Sequence, residues 1–154
     1  IMSSPFISKN LMNSLRMINI SEILPEARYI FVRRDPLFNA QSLLLSRKKA
    51  HGTANQWWST KPVGYEEATQ SSPEYQVVWQ VLEIEKTVTR FLDKYSPQYI
   101  EISYETLCHN PQNTIENIRE KFHVEIKQDV SFDNLASRNS ITISQNRWEK
   151  ITYW

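Results

Sequence analysis

A short apolar run that ends in Asp-Pro constrains the fold of this chain more than any other feature. Residues 29–32 read Tyr-Ile-Phe-Val, and Arg33, Arg34, Asp35 and Pro36 follow at once. An uninterrupted run of aromatic and β-branched residues is typical of a strand buried on both faces of a parallel sheet. Asp as the cap with Pro at the first helical position indicates a helix start. The segment therefore predicts a buried strand that leads directly into a helix.

Apolar spacing and capping residues predict the remaining elements. Helices are expected over roughly 8–20, 36–49 and 74–95, after Asn110-Pro111 and after Ser144; a second strand over 99–104; and a long loop over 51–73. Strands separated by helices form an α/β pattern. Because no linker or internal repeat divides the chain, we expect residues 1–154 to form a single domain.

Composition excludes several kinds of site and partner. The 154 residues include only two glycines, Gly52 and Gly64, so no glycine-rich phosphate loop of the usual kinds is present. Lys and Arg total 18 against 17 for Asp and Glu, a balance that argues against nucleic-acid or membrane partners. The single cysteine, Cys108, excludes an internal disulfide and a cysteine-based zinc site. No apolar run approaches the roughly 18 residues of a membrane span.

Arg34 and Ser42 are candidate residues for an anion site. Ligands of open α/β sheets bind at the carboxyl ends of strands, and Arg34 lies at such an end beside the N-terminus of a helix. Ser42 comes eight residues later, so two helical turns bring its hydroxyl towards Arg34. An arginine fork with a hydroxyl is a good phosphate clamp. The alternative is that Asp35-Pro36 only caps a helix and that both side chains are solvated.

Two stretches of the chain resemble the sulfotransferases that use 3′-phosphoadenosine 5′-phosphosulfate. Residues 27–36, Ala-Arg-Tyr-Ile-Phe-Val-Arg-Arg-Asp-Pro, followed by Ser42 are similar to the second cofactor motif of that family. Residues 102–107, Ile-Ser-Tyr-Glu-Thr-Leu, are similar to its tyrosine–glutamate–x–leucine segment. The two stretches occur in the family's order with a long helix between them, and the resemblance covers roughly residues 5–125.

The resemblance implies a fold, a reaction and a set of site residues. The fold is a P-loop-NTPase-like three-layer α/β sandwich with a parallel sheet, present here only in part. The reaction is metal-free transfer of a sulfuryl group from the nucleotide donor to a hydroxyl or amine acceptor. In the resembling motifs, Arg34 and Ser42 match the residues that hold the 3′-phosphate of the donor and of its product, 3′-phosphoadenosine 5′-phosphate. Tyr104 matches the residue that contacts adenine.

The predicted loop supplies the candidates for contact with substrate. Residues 57–65 resemble a loop of bacterial members, and Trp57, Trp58 and Lys61 lie in it. For the tryptophans, stacking on a ligand and packing inside the loop are both open. The catalytic residue is unassigned, and His51 beside the loop is the one candidate acid–base group. The three histidines lack metal-ligand spacing, so no metal site is expected.

One family motif does not occur in the sequence. No lysine–[Ser/Thr]–glycine triplet, the kind of loop that grips the 5′-phosphosulfate, is present. We therefore expect a C-terminal portion of a sulfotransferase domain that is inactive alone. The lone cysteine and the lack of an anchor favour a cytoplasmic protein; the alternative is a Golgi member of the family, whose anchor a partial chain would lack. The alternatives are a kinase-like nucleotide-binding relative and a non-catalytic α/β interaction module.

Overall fold

Helices and a two-stranded sheet alternate in the computed structural model of the chain, which describes residues 6–95, 98–125 and 131–154. In chain order the elements are a 3₁₀ turn, Leu11–Leu15, and then α1 Met17–Ile23, β1 Tyr29–Arg33, α2 Pro36–His51, α3 Tyr65–Ala68, α4 Pro73–Tyr95, β2 Tyr99–Ser103, α5 Tyr104–His109, α6 Pro111–Phe122 and α7 Gln145–Tyr153. Within these described ranges, no helix has the length and apolar character needed to cross a bilayer.

The sheet consists of β1 and β2 side by side and parallel. Its register pairs Tyr29 with Tyr99 at one end and Arg33 with Ser103 at the other. Parallel neighbours need a long crossover connection, which α2, α3 and α4 provide here. The predicted α/β class and both predicted strands are therefore confirmed.

Local capping explains where α2 begins and ends. The side chain of Asp35 accepts a hydrogen bond from the Leu37 N–H at 2.8 Å, and Pro36 occupies the first turn. At the other end Gly52 has φ 72° and donates its N–H to the Lys48 carbonyl at 2.9 Å. Only glycine adopts this left-handed conformation without a steric cost. The helix start predicted from Asp-Pro is confirmed, and the helix continues to His51.

Helix α4 contributes to both hydrophobic clusters of the described residues. Its N-terminal half packs with α2 and α7 in a cluster formed by Ala40, Leu44, Ala54, Val77, Val78, Val81 and Ile151. Its C-terminal half packs under the sheet in a cluster formed by Met17, Val88, Phe91 and Leu92, against Tyr29, Phe31 and Tyr99. The helix predicted over 74–95 is thus confirmed as the element that the two clusters share.

Two expectations about local structure were wrong, and one helix was missed. The predicted helix over 8–20 is a 3₁₀ turn and a separate α1, because Arg16 between them has a non-helical φ of −120°. The 51–73 segment contains the short helix α3, which Gly64 precedes as its N-cap with φ 90°. Helix α5 was not predicted, since its six residues are too few to show a helical period.

Strand β1 is not buried on both faces as its apolar sequence predicted. Tyr29 and Phe31 face the cluster under the sheet, whereas Ile30 and Val32 on the opposite face are each 46% exposed. Successive side chains of a strand point to opposite faces, so the run of four apolar residues divides into a covered pair and a half-exposed pair.

A buried arginine joins α2 to α4 and to the loop before α3. Arg47 is 0% exposed and donates to the side-chain oxygens of Gln76 at 2.6 Å and Gln80 at 3.0 Å. Its guanidinium also lies 4.7 Å from the centre of the Trp57 ring. Gln80 in turn donates to the carbonyl oxygens of Trp58 and Thr60, at 3.0 and 2.7 Å. Burial lowers the pKa of Arg47 to about 10.

We expect Arg47→Met to lower the free energy of unfolding by about 2–6 kcal/mol, because it leaves two buried glutamine oxygens without a donor at about 1–3 kcal/mol each. The matched control is Lys48→Met, which removes a cation from the next position of the same helix, where the side chain is exposed. This variant should change stability little. Urea unfolding followed by tryptophan fluorescence measures both. An Arg47→Met chain as stable as the wild type would show that the buried charge costs as much as its hydrogen bonds contribute.

Candidate functional site

The two strand ends bring Arg34 and Tyr104 side by side. The register pairs Arg33 with Ser103, so the next residue of each chain segment lies at the same edge of the sheet. There the Arg34 guanidinium carbon is 4.8 Å from the centre of the Tyr104 ring. A guanidinium over an aromatic face is a stabilising cation–π contact. The parallel register alone therefore accounts for this meeting of two predicted site residues.

Ser42 lies within hydrogen-bond distance of Arg34. Arg34 Nη1 donates to Ser42 Oγ at 3.0 Å, across two turns of α2. The Ser42 hydroxyl donates in turn to the Phe38 carbonyl at 2.9 Å. The structure thus brings Ser42 to Arg34, as the eight-residue spacing suggested, and places Tyr104, a candidate only by resemblance, beside them. Their proposed roles towards a nucleotide remain predictions.

A segment of the chain between α6 and α7 also reaches Arg34. Arg34 Nε donates to Asn139 Oδ1 at 2.9 Å, and Arg34 Nη2 donates to the Arg138 carbonyl at 3.0 Å. The Arg138 N–H donates to the Tyr104 hydroxyl at 3.0 Å. Each nitrogen of the Arg34 guanidinium therefore has one neutral oxygen as its partner.

Gln41 anchors this segment to α2. Its side chain is 2% exposed, donates to the Ser140 carbonyl at 2.8 Å and accepts from the Thr142 N–H at 2.9 Å. A buried amide that makes both bonds fixes the backbone on either side of position 141. Sequence reasoning missed this contact, because an irregular segment has no periodicity and its partner on α2 lies 99 positions earlier.

The carboxylate of Glu105 connects the two strand ends to the same segment. Oε1 accepts from the Asn139 side chain at 2.7 Å and from the Asp35 N–H at 3.2 Å, while Oε2 accepts from the Ser103 hydroxyl at 2.8 Å. Burial by itself would raise the pKa of Glu105, but the hydrogen bonds from Ser103, from its own N–H and from Asp35 and Asn139 outweigh burial and lower the pKa to about 2. From the sequence, Glu105 is known only as the glutamate of the tyrosine–glutamate–x–leucine segment, with no role assigned.

Arg33 and Arg34 differ in how their charges are compensated. Arg33 forms ion pairs with Glu85 and, at 2.7 Å, with Glu101. These carboxylates outweigh the effect of burial and raise the pKa of Arg33. Among the described residues no carboxylate forms an ion pair with Arg34. Of the two adjacent cations, Arg34 is therefore the one whose charge is not matched by a carboxylate within this part of the chain.

The predicted loop residues gather at the other end of α2. His51 lies nine residues beyond Ser42, which is about 13 Å along a helix. Its ring is 5.3 Å from that of Trp58, a residue that is 43% exposed. Lys61 lies over the Tyr65 ring at 4.8 Å. The structure therefore does not place these residues beside Arg34.

Trp57 is a packing residue of the same loop. Its indole N–H donates to the Thr60 carbonyl at 3.0 Å, and its ring lies edge-on to the rings of Tyr65 and Trp79, at 5.5 and 6.2 Å. With Arg47 on it as well, the Trp57 ring has several protein partners. Of the two adjacent tryptophans, Trp58 has the more exposed side chain.

Comparison with known proteins identifies one family. A family model described as the sulfotransferase family matches residues 2–128. A comparison with curated proteins gives no match, and a comparison with solved structures gives none either. The matched range includes both strand ends and excludes the segment that contains Asn139.

We expect Glu105→Gln to lower stability at neutral pH by about 1–2 kcal/mol, because charge-assisted hydrogen bonds are about twice as strong as neutral ones. The folded pKa lies below the ordinary value of 4.5, so the stabilisation is present above that value and is lost as the pH falls towards about 2. Chemical denaturation at a series of pH values should show a smaller acid dependence for Glu105→Gln than for the wild type. Glu66→Gln, at an exposed position of α3, is the control. If Glu105→Gln showed the same acid dependence as the wild type, the Glu105 carboxylate would not be the group that stabilises the fold above its pKa.

Proposed function

The chain belongs to the sulfotransferase family, and from this premise we propose that it acts in the transfer of a sulfuryl group from 3′-phosphoadenosine 5′-phosphosulfate to a hydroxyl or amine acceptor. In this proposal the chain supplies the part of the site that holds the 3′-phosphate and the adenine. The observation that carries it is the state of Arg34, whose partners are a hydroxyl, an amide oxygen and a carbonyl oxygen.

The contrast with Arg33 gives this observation its weight. Two carboxylates already balance the charge of Arg33, and a phosphate would have to displace them. Neutral acceptors leave the positive charge of Arg34 available to a dianionic phosphate, and a charge-assisted bond is about twice as strong as a neutral one. A 3′-phosphate therefore gains more from Arg34 than the present neutral partners do.

The neighbours of Arg34 suit a phosphorylated nucleoside. Ser42 offers a hydroxyl 3.0 Å from the guanidinium, and a hydroxyl can donate to a phosphate oxygen after rotating away from the Phe38 carbonyl. Tyr104 presents an aromatic ring at the adjacent strand end, and we propose that it contacts the adenine. The donor, when bound, would supply the activated sulfuryl group, and the protein's contribution would be positioning and charge stabilisation.

The loop after α2 is proposed to serve the acceptor side. Trp58 is half-exposed and lies against His51, so an apolar surface and a group able to accept a proton adjoin there. His51 lies about 13 Å from Ser42 along α2, which suits a role away from the 3′-phosphate. Lys61 adds a cation to the same loop. His51 remains the candidate acid–base group.

Nucleotide titration tests the phosphate clamp. We expect the wild-type chain to bind 3′-phosphoadenosine 5′-phosphate more tightly than adenosine 5′-phosphate, which lacks the 3′-phosphate. Arg34→Ala should abolish this preference and cost at least about tenfold in affinity, since each bond to a charged group contributes about 1.5–3 kcal/mol and about 1.4 kcal/mol is a factor of ten. Isothermal titration calorimetry with both nucleotides measures the preference directly.

Arg33→Ala is the matched control, because it removes the same formal charge from the adjacent position. The preference for the 3′-phosphate should survive in Arg33→Ala. Equal affinity of the wild type and Arg34→Ala for 3′-phosphoadenosine 5′-phosphate would contradict the clamp. Preference for ATP would favour a kinase-like relative, and binding of neither nucleotide would favour an interaction module.

A further inference from the structure

Asn139 lies between a cation and an anion at the candidate site. Its Oδ1 accepts from Arg34 Nε at 2.9 Å, and its Nδ2 donates to Glu105 Oε1 at 2.7 Å. One side-chain amide therefore separates a guanidinium from a carboxylate that could otherwise pair with it. The polarity is fixed at both ends, because the cation requires an acceptor and the carboxylate requires a donor.

Two N–H donors of Arg34 have no hydrogen-bond partner among the described residues. A guanidinium carries five N–H donors, and Arg34 uses one on each nitrogen, towards Asn139, Ser42 and the Arg138 carbonyl. The remaining two donors belong to Nη1 and Nη2, since Nε has only one. One donor on each Nη atom is therefore left for a ligand, and the Nη donors of arginine are groups that bind phosphate.

We propose that Asn139 is a positioning residue for Arg34: it holds the guanidinium so that the remaining Nη donors are available to the 3′-phosphate, and it prevents Glu105 from pairing with Arg34. This inference rests on the proposed function of Arg34. Without Asn139, Arg34 and Glu105 are free to turn towards each other, and a direct ion pair would reduce the attraction of Arg34 for a phosphate. Asn139 thus acts through Arg34 and need not touch the ligand.

A double-mutant cycle on the full chain tests the proposal. Wild type, Arg34→Ala, Asn139→Ala and the double variant are titrated with 3′-phosphoadenosine 5′-phosphate and with adenosine 5′-phosphate. We expect Asn139→Ala to weaken binding of the first nucleotide about five- to tenfold, because Arg34 can then pair with Glu105, and to leave binding of the second unchanged. Residues that act as a unit have non-additive effects on binding. In the Arg34→Ala background, Asn139→Ala should have no further effect. Asn134→Ala, an exposed position of the same segment, is the control and should bind as the wild type does.

A second variant separates positioning from folding. Asn139→Asp combined with Glu105→Gln exchanges the amide and the carboxylate. Position 139 still presents an acceptor to Arg34, and the amide at position 105 can donate to position 139, but Arg34 now has a carboxylate partner. We expect this variant to fold, by its circular dichroism and unfolding midpoint, and still to bind 3′-phosphoadenosine 5′-phosphate at least about tenfold more weakly, because a paired cation attracts a phosphate less. Wild-type affinity in a folded double variant would overturn the proposal.

The outcomes distinguish this inference from the proposed function. If Arg34→Ala binds like the wild type, the phosphate clamp itself fails. If Arg34→Ala loses affinity but Asn139→Ala costs the same factor in both backgrounds, the clamp stands and the positioning role of Asn139 is overturned. If Asn139→Ala binds more tightly than the wild type, the segment competes with the ligand for Arg34, and the positioning role is again overturned.

Discussion

The carboxylate of Glu105 is the interaction on which the geometry of the strand ends depends. It accepts hydrogen bonds from the turn that begins α2, from the residue that ends β2 and from the segment between α6 and α7. These three stretches are distant from one another in sequence. The first adjoins Arg34 itself, and the other two carry residues that Arg34 contacts. A neutral side chain at position 105 could not accept all of these bonds with comparable strength. The position of Arg34 is therefore a consequence of a partly buried network that the chain forms by itself.

Arg47 and Arg34 both lack a carboxylate partner among the described residues, and their burial determines whether each has a structural role or can bind a ligand. Arg47 is 0% exposed, with Gln76, Gln80 and the Trp57 ring around it, so it has no surface to offer and serves to hold the loop. Arg34 is part-exposed at a strand end, and within the described part of the chain two of its N–H donors have no partner. An uncompensated charge indicates a binding site only where a ligand can reach it.

The parts of this site that could be predicted are those with local signals. Asp35-Pro36 fixes the start of α2, the apolar run fixes β1, and eight residues of helix bring Ser42 to Arg34. Glu105 and Asn139 could not be assigned in this way. Their roles depend on a hydrogen bond between two residues 34 positions apart. The segment that contains Asn139 has neither helical nor strand periodicity, so a single sequence does not indicate this contact. The half-exposed face of β1 was missed because an apolar run does not show what covers it.

Both glycines of the chain lie at helix ends. Gly52 ends α2 and Gly64 begins α3, both with positive φ, so each glycine is already required where a helix ends or starts. A phosphate site in the described part of the chain must then be built from side chains instead of from a loop of backbone N–H groups. Side-chain donors such as Arg34 need a support that holds their orientation, whereas backbone donors are oriented by the loop itself. The network through Asn139 and Glu105 supplies that support, which is why a site of this kind depends on residues that need not touch the ligand.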